Sequence, residues 1–172
     1  YTWNAEFVNC RFSEIPYVYP VKIRGIKSRV ENCHFTNMDW WANPGGGAAE
    51  LGNVARYVTF ENSKVGGLGG SHLMEYCRIE DFKDPCDCSG INRGAHGAPR
   101  SMTRYNWIIN GPGANGIRID GGANGAGNRR GDIHHIITIG NNRGMRLKGD
   151  FHDVHHILSL IHISEPTRQE AI

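Results

Sequence analysis

Four residues in the last third of the chain have the types and spacing that charge-handling chemistry needs. In Ile117-Arg118-Ile119-Asp120 a basic and an acidic residue alternate with isoleucines, and Met145-Arg146-Leu147-Lys148 repeats the arrangement further on. Successive side chains of a strand point to opposite faces, so Arg118 and Asp120 share one face and the isoleucines the other. Stacking the two segments sets Arg118 beside Arg146 and Asp120 beside Lys148. Arg24 and Asn92 are expected in the same outer column of earlier segments. A row of this kind grips carboxylates through the two-pronged hydrogen bonds of guanidinium. Once a carboxylate is neutralised, the C–H next to it becomes acidic, and Lys148 or a nearby histidine can take the proton. Lys148, Arg146, Arg118 and Asp120 are therefore the expected catalytic residues, with Arg24 and Asn92 as substrate contacts. In the purely structural alternative Asp120 and Lys148 form an exposed ion pair, worth under ~1 kcal/mol, on a solvated face.

Other residue groups invite weaker readings. His134-His135 and His155-His156 recur one segment apart, and close neutral imidazoles suit a transition metal or a base near neutral pH. The simpler reading puts one of each pair on a bend and its neighbour toward solvent, so His134 and His155 are expected substrate contacts and no metal is expected there. Trp40 and Trp41 either stack on sugar rings or anchor a loop. Asp81, Asp84 and Asp87 offer oxygen ligands that leave Ca²⁺ open as a cofactor, without a known spacing. Inverting hydrolysis needs two carboxyls roughly 6.5–9.5 Å apart, and Asp120 with Asp150 or Asp153 is the pair to test.

These residues need a scaffold, and two alternating patterns supply it. One is Gly-Ile-x-hydrophobic-x, at Gly116 and Gly144, interleaved through Ile23, Ile91, Ile117 and Met145, with Leu68 as a doubtful member. The other is hydrophobic-x-(Asn/Tyr/His)-x-x-hydrophobic, with key positions Asn9, Asn32, Asn62, Tyr76, Tyr105, His135 and His156. Units of roughly 20–30 residues built only of strand and turn mark a solenoid, although the Asn62-to-Tyr76 step is short. The chain has 172 residues and 23 glycines, well above the usual ~7%, as frequent tight turns require. Three of the five cysteines, Cys10, Cys33 and Cys77, fall at one position of the repeat, where stacked thiols act as small hydrophobes without needing a bridge. Cys86 and Cys88 match no common zinc spacing. Segment 47–55 reads as a loop excursion, as do 81–100 and 121–131, and such loops are where sites are usually built.

With these motifs the chain resembles the right-handed parallel β-helix, pectate-lyase-like family over residues 5–157. The resemblance implies an all-β, single-stranded solenoid, incomplete at both ends, with an Asn ladder in which Asn9, Asn32 and Asn62 bond through buried side-chain amides. Segment 144–154 resembles a coil of β-helix polysaccharide lyases, including alginate and chondroitin lyases. The lyases' Asn-Lys-Ser segment and their other catalytic Arg motif are not found. Residues 158–168 are similar to an in-frame translation of sequencing-adapter DNA. The expected organisation is thus a β-helix fragment over 1–157 and a non-native tail over 158–172.

A net charge of +2 is too small to argue for nucleic acid, and no run of 18 apolar residues offers a membrane span. Together the residues and the resemblance lead us to expect a secreted or periplasmic monomer, lyase-like, acting on an acidic, uronate-containing polysaccharide. A non-catalytic glycan-binding or adhesin-type module and a glycoside hydrolase are the alternatives.

Overall fold

The computed structural model describes residues 2–15, 21–25, 27–38, 49–63, 66–69, 71–83, 89–93, 101–119, 130–148 and 151–161. Among them there are only strands and turns, no helix. The strands come in rungs. The first rung is β1 (Thr2–Trp3), β2 (Glu6–Val8) and β3 (Arg11–Ile15), and the second is β4 (Val21–Arg24), β5 (Arg29–Glu31) and β6 (His34–Met38). The third is β7 (Ala49–Leu51), β8 (Val54–Arg56) and β9 (Thr59–Ser63), and the fourth β10 (Leu68–Gly69), β11 (Leu73–Glu75) and β12 (Arg78–Phe82). In later rungs the second and third strands merge: β13 (Ser89–Arg93) with β14 (Met102–Ile109), β15 (Asn115–Ile119) with β16 (Asp132–Ile139), and β17 (Arg143–Leu147) with β18 (Asp153–Leu160). Every pairing is parallel. One 7-stranded sheet runs β1-β4-β7-β10-β13-β15-β17, and the remaining strands form the second sheet. The chain is a parallel β-solenoid.

The interior is a set of columns, one residue per rung. Phe12, Phe35 and Phe60 continue as Ile79, Ile108 and Thr138, and the Phe12 and Phe35 rings stack at 4.6 Å. Cys10, Cys33, Val58, Cys77, Asn106 and Ile136 form another column. The cysteines are free, as expected of a thiol ladder, and burial pushes the Cys77 thiol up to about 12. The glycine of the Gly-Ile pattern has a packing cause. A Cβ on Gly67 would lie 2.0 Å from the Gly90 carbonyl oxygen, one on Gly90 2.4 Å from Ile108 Cγ2, and one on Gly116 2.5 Å from the Gly144 carbonyl oxygen. The first sheet approaches both its own next rung and the opposite sheet so closely there that no side chain fits.

Two of the left-handed bends in each rung revise the expected ladder. The first carries Asn9, Asn32, Tyr57, Tyr76, Tyr105, His135 and His156, and the second Glu14, Asn37, Asn62, Asp81, Asn110 and Gly140, all with φ between 49° and 67°. Asn62 therefore belongs to the second column and Tyr57 takes its expected place, which removes the short step. The amides are exposed, not buried. Asn32 Nδ2 donates to Asn9 Oδ1 at 2.6 Å, and Asn62 Nδ2 to Asn37 Oδ1. At the tyrosines the ladder becomes a ring stack, Tyr57 on Tyr76 at 5.1 Å and Tyr76 on Tyr105 at 5.0 Å. A non-Gly residue in this conformation costs roughly 1–2 kcal/mol, and a ring pair returns about 0.5–1.5 kcal/mol.

The interior amides are other residues. Asn106 Oδ1 accepts from the Cys77 backbone N–H and its Nδ2 donates to the Met74 carbonyl, and Asn141 does the same for Gly111 and Ile108. Segment 47–55, expected as a loop, contributes β7 and β8, because Leu51 and Ala55 fill core columns. Ser89–Arg93, inside the expected 81–100 excursion, is likewise a strand. β18 runs past residue 157, pairing Leu158, Ser159 and Leu160 with Ile137, Thr138 and Ile139.

Candidate functional site

The outer face of the 7-stranded sheet carries the basic row. Asn92 is in register with Arg118, and Arg118 with Arg146. Adjacent parallel strands hold such positions ~4.8 Å apart. The flanking Ile91, Ile117 and Ile119 are buried, whereas Asn92, Arg118 and Arg146 are half-buried, so the alternation expected from the sequence holds. Asn92 Oδ1 is buried without a hydrogen-bond partner among the described residues. Lys148 is exposed just past β17, and its backbone N–H donates to the Ile119 carbonyl at 2.9 Å. Ile119 thus anchors the lysine one rung from the end of β15.

Arg24 does not stand in this column. The register runs from Asn92 back through Gly69 and Glu50 to Lys22. Ile23 accordingly pairs with Leu51, and it is Val21 that aligns with Ala49, Leu68 and Ile91. Both Lys22 and Arg24 follow apolar residues in β4, and only the strand pairing distinguishes them. Asp120, Asp150, Trp40, Trp41, Asp84, Asp87, Cys86 and Cys88 lie outside the described residues.

A residue the sequence reading passed over closes this end of the row. His152 Nδ1 accepts the Gly131 backbone N–H at 3.1 Å, which leaves Nε2–H to donate to the Lys148 carbonyl at 3.1 Å. The imidazole nearest Lys148 is therefore engaged at both nitrogens. It ties the lysine's backbone to the start of β16 and is not a free base. The chain distance from Lys148 to His152 was a visible signal, but the Gly131 partner was not.

The other expected contacts sit on the second sheet. His134 and His155 are in register, with His135 and His156 on the bend, as the simpler reading placed them. His134, however, is buried beneath its neighbours while His155 is exposed. Desolvation in the ring stack, followed by the neighbouring imidazoles, pushes His135 below the ordinary histidine range. Asp153 lies in register with Asp132 on this face and not beside the arginines. Asp81 is exposed on its bend and accepts from Asn110 Nδ2. Trp107, unremarked in the sequence, is 48% exposed on the outer face of β14.

The second sheet also carries an ion ladder. Glu75, 5% exposed at its side chain, lies between Arg56 and Arg104 on the adjoining rungs. Arg104 Nε donates to Glu75 Oε2 at 2.6 Å, which pushes the Arg104 pKa further up. Arg56 Nε is 2.6 Å from Oε1 as an ion pair, its N–H not aimed along the contact. No protein-family model, no curated protein and no solved structure matches this chain.

Proposed function

We propose that this β-solenoid is a carbohydrate-active protein of the extracellular or periplasmic space that holds an acidic, uronate-containing polysaccharide along the Asn92–Arg118–Arg146 row. The observation that carries this reading is the register itself. It stacks two guanidiniums on consecutive rungs, with an amide before them and an exposed lysine at the end. Each guanidinium fits one carboxylate by two hydrogen bonds.

The reaction this row supports is β-elimination. Arg118 and Arg146 neutralise the uronate carboxylate, and Lys148 takes the proton from the carbon beside it. The electron pair forms a C=C bond to the neighbouring carbon, and the glycosidic C–O bond on that carbon breaks, the leaving oxygen gaining a proton from solvent. The chain is to be mixed with alginate, pectate and glycosaminoglycans, with and without Ca²⁺. Ultraviolet absorbance of the conjugated C=C bond should then rise. Binding that weakens on Arg146→Ala, with no absorbance change on any polymer, makes the protein a glycan-binding module. No binding at all removes the polysaccharide reading.

A further inference from the structure

Four imidazoles meet where β16 and β18 lie side by side. The His134 and His155 rings stack with centroids 4.8 Å apart and 4° between planes, and His135 and His156 stack at 4.6 Å. Within each rung the two rings meet edge on. Nδ1 of His134 is 2.7 Å from Nδ1 of His135, and Nδ1 of His155 is 2.7 Å from Nδ1 of His156. One nitrogen from each of His134, His135 and His155 lies within 4.8 Å of the others.

Asp132 decides which nitrogens are free. Its Oδ1 is buried, has no hydrogen-bond partner among the described residues, and faces Nε2 of His134 at 3.8 Å and Nε2 of His155 at 3.9 Å. A carboxylate facing those nitrogens favours the tautomers with N–H on Nε2 and the lone pair on Nδ1. Arg104, in register with His134, directs its charge to Glu75. In each rung, then, an Nδ1 lone pair faces a second Nδ1 at a distance that requires something positive between them, a proton or a metal ion.

We propose that the cluster binds a divalent transition metal, with Nδ1 of His134 and His135 as one chelating pair and Nδ1 of His155 and His156 as its match on the next rung. An ion ~2.0–2.1 Å from each nitrogen, with the two nitrogens 2.7 Å apart, is held at an N–metal–N angle of roughly 80°. That angle is close to the right angle of a square-planar or octahedral site and far from a tetrahedral one, which selects Cu²⁺ or Ni²⁺ over Zn²⁺. Exposed His135 and His156 leave the pairs open to solvent. The site is on the second sheet and does not depend on the polysaccharide reading.

The test is calorimetric titration of the tag-free chain with Cu²⁺, Ni²⁺ and Zn²⁺ in turn, with electron paramagnetic resonance of the Cu²⁺-loaded protein. Cu²⁺ should bind about tenfold or more tighter than Zn²⁺, and the spectrum should show nitrogen hyperfine splitting. The double change His134→Gln with His135→Gln should weaken Cu²⁺ about 100-fold, and Asp132→Asn about 10- to 100-fold. His34→Gln, several rungs from the cluster, should leave the affinity unchanged. Circular dichroism checks the fold of each variant. If the double variant does not fold, His135→Gln with His156→Gln, both exposed on the bend, replaces it. Equal Cu²⁺ affinity in wild type and either double variant overturns the proposal, as does Zn²⁺ binding tighter than Cu²⁺. Absence of Cu²⁺ binding, with nitrogen NMR showing one shared proton in each pair, overturns it too.

Discussion

Two charged columns of this solenoid, one on each sheet, are built in opposite ways. One column of the second sheet alternates in sign through Glu31, Arg56, Glu75 and Arg104, with Glu75 paired to both arginines, and beside it Glu6 meets Arg29 at 3.1 Å. On the 7-stranded sheet Arg118 and Arg146 follow each other without alternation. Parallel in-register strands place every charge beside its equivalent on the next rung, so a repeat must either alternate or accept repulsion. The alternating ladder stabilises itself. The face proposed for a polyanion is the one whose neighbouring rungs repeat the same sign.

The sharpest way to break the contrast is to remove the base proposed for the row. Lys148→Ala should lower the rate of unsaturated-product formation about 10²–10⁴-fold. Because Lys148 is exposed, its urea midpoint should stay that of wild type, and an unchanged rate would place the base elsewhere. Next in size is Glu75→Arg, which sets three guanidiniums in succession where one carboxylate bridged two. It should cost about 3–4 kcal/mol, read from urea unfolding, since removing the partner of a largely buried charge strands the others. A loss under about 1 kcal/mol would mean that the ladder is as weak as an ordinary surface pair.

The converse change writes the alternating pattern into the 7-stranded sheet. Arg118→Glu should weaken polymer binding about tenfold through the lost two-pronged contact, with the urea midpoint read alongside. A fall in both would show that Arg118 serves the fold. The smallest effect is expected beneath both sheets, where neither charge pattern reaches. Val58 already occupies the Cys77 column, so Cys77→Val should cost under about 1.5 kcal/mol at neutral pH. Burial holds the folded thiol at about 12 against 9.0 in its ordinary state. The unfolded chain therefore ionises first, and the stability from this group is complete below about pH 9 and lost as pH rises toward about 12. Urea midpoints of wild type should fall across that window more steeply than those of Cys77→Val.

Much of the scaffold was legible because a solenoid writes its period into the chain. The Gly-Ile pattern, the thiol column and the neighbouring Arg118 and Arg146 all follow from residue type and spacing. The error at Asn62 has a physical source. Each rung has more than one left-handed bend, Asn is the non-glycine residue that visits that conformation most readily, and the rung in question puts Tyr57 on one bend and Asn62 on another. The slip at Arg24 arose because Ile23 and Val21 both precede a basic residue in β4. The pairing that separates them depends on β7, a strand that the Gly-rich sequence around it disguised. Asn106 and Asn141 escaped notice because an inward amide at a strand or turn position looks like any solvated one until the backbone groups it satisfies are in place.

The sequence by itself determined that this chain stacks as parallel strands, that glycine recurs before the apolar strand centres, and that arginines on successive units share a face. Those are properties of one unit and its period, and period survives in a linear string. Tertiary structure alone decided the register between rungs, the double bend, the closure of His152 on Lys148 and Gly131, and the meeting of four imidazoles over Asp132. Each of these joins atoms on different rungs, and their distances are set by hydrogen-bonded strand pairing and by side chains packing through the solenoid, neither of which is encoded in any single unit.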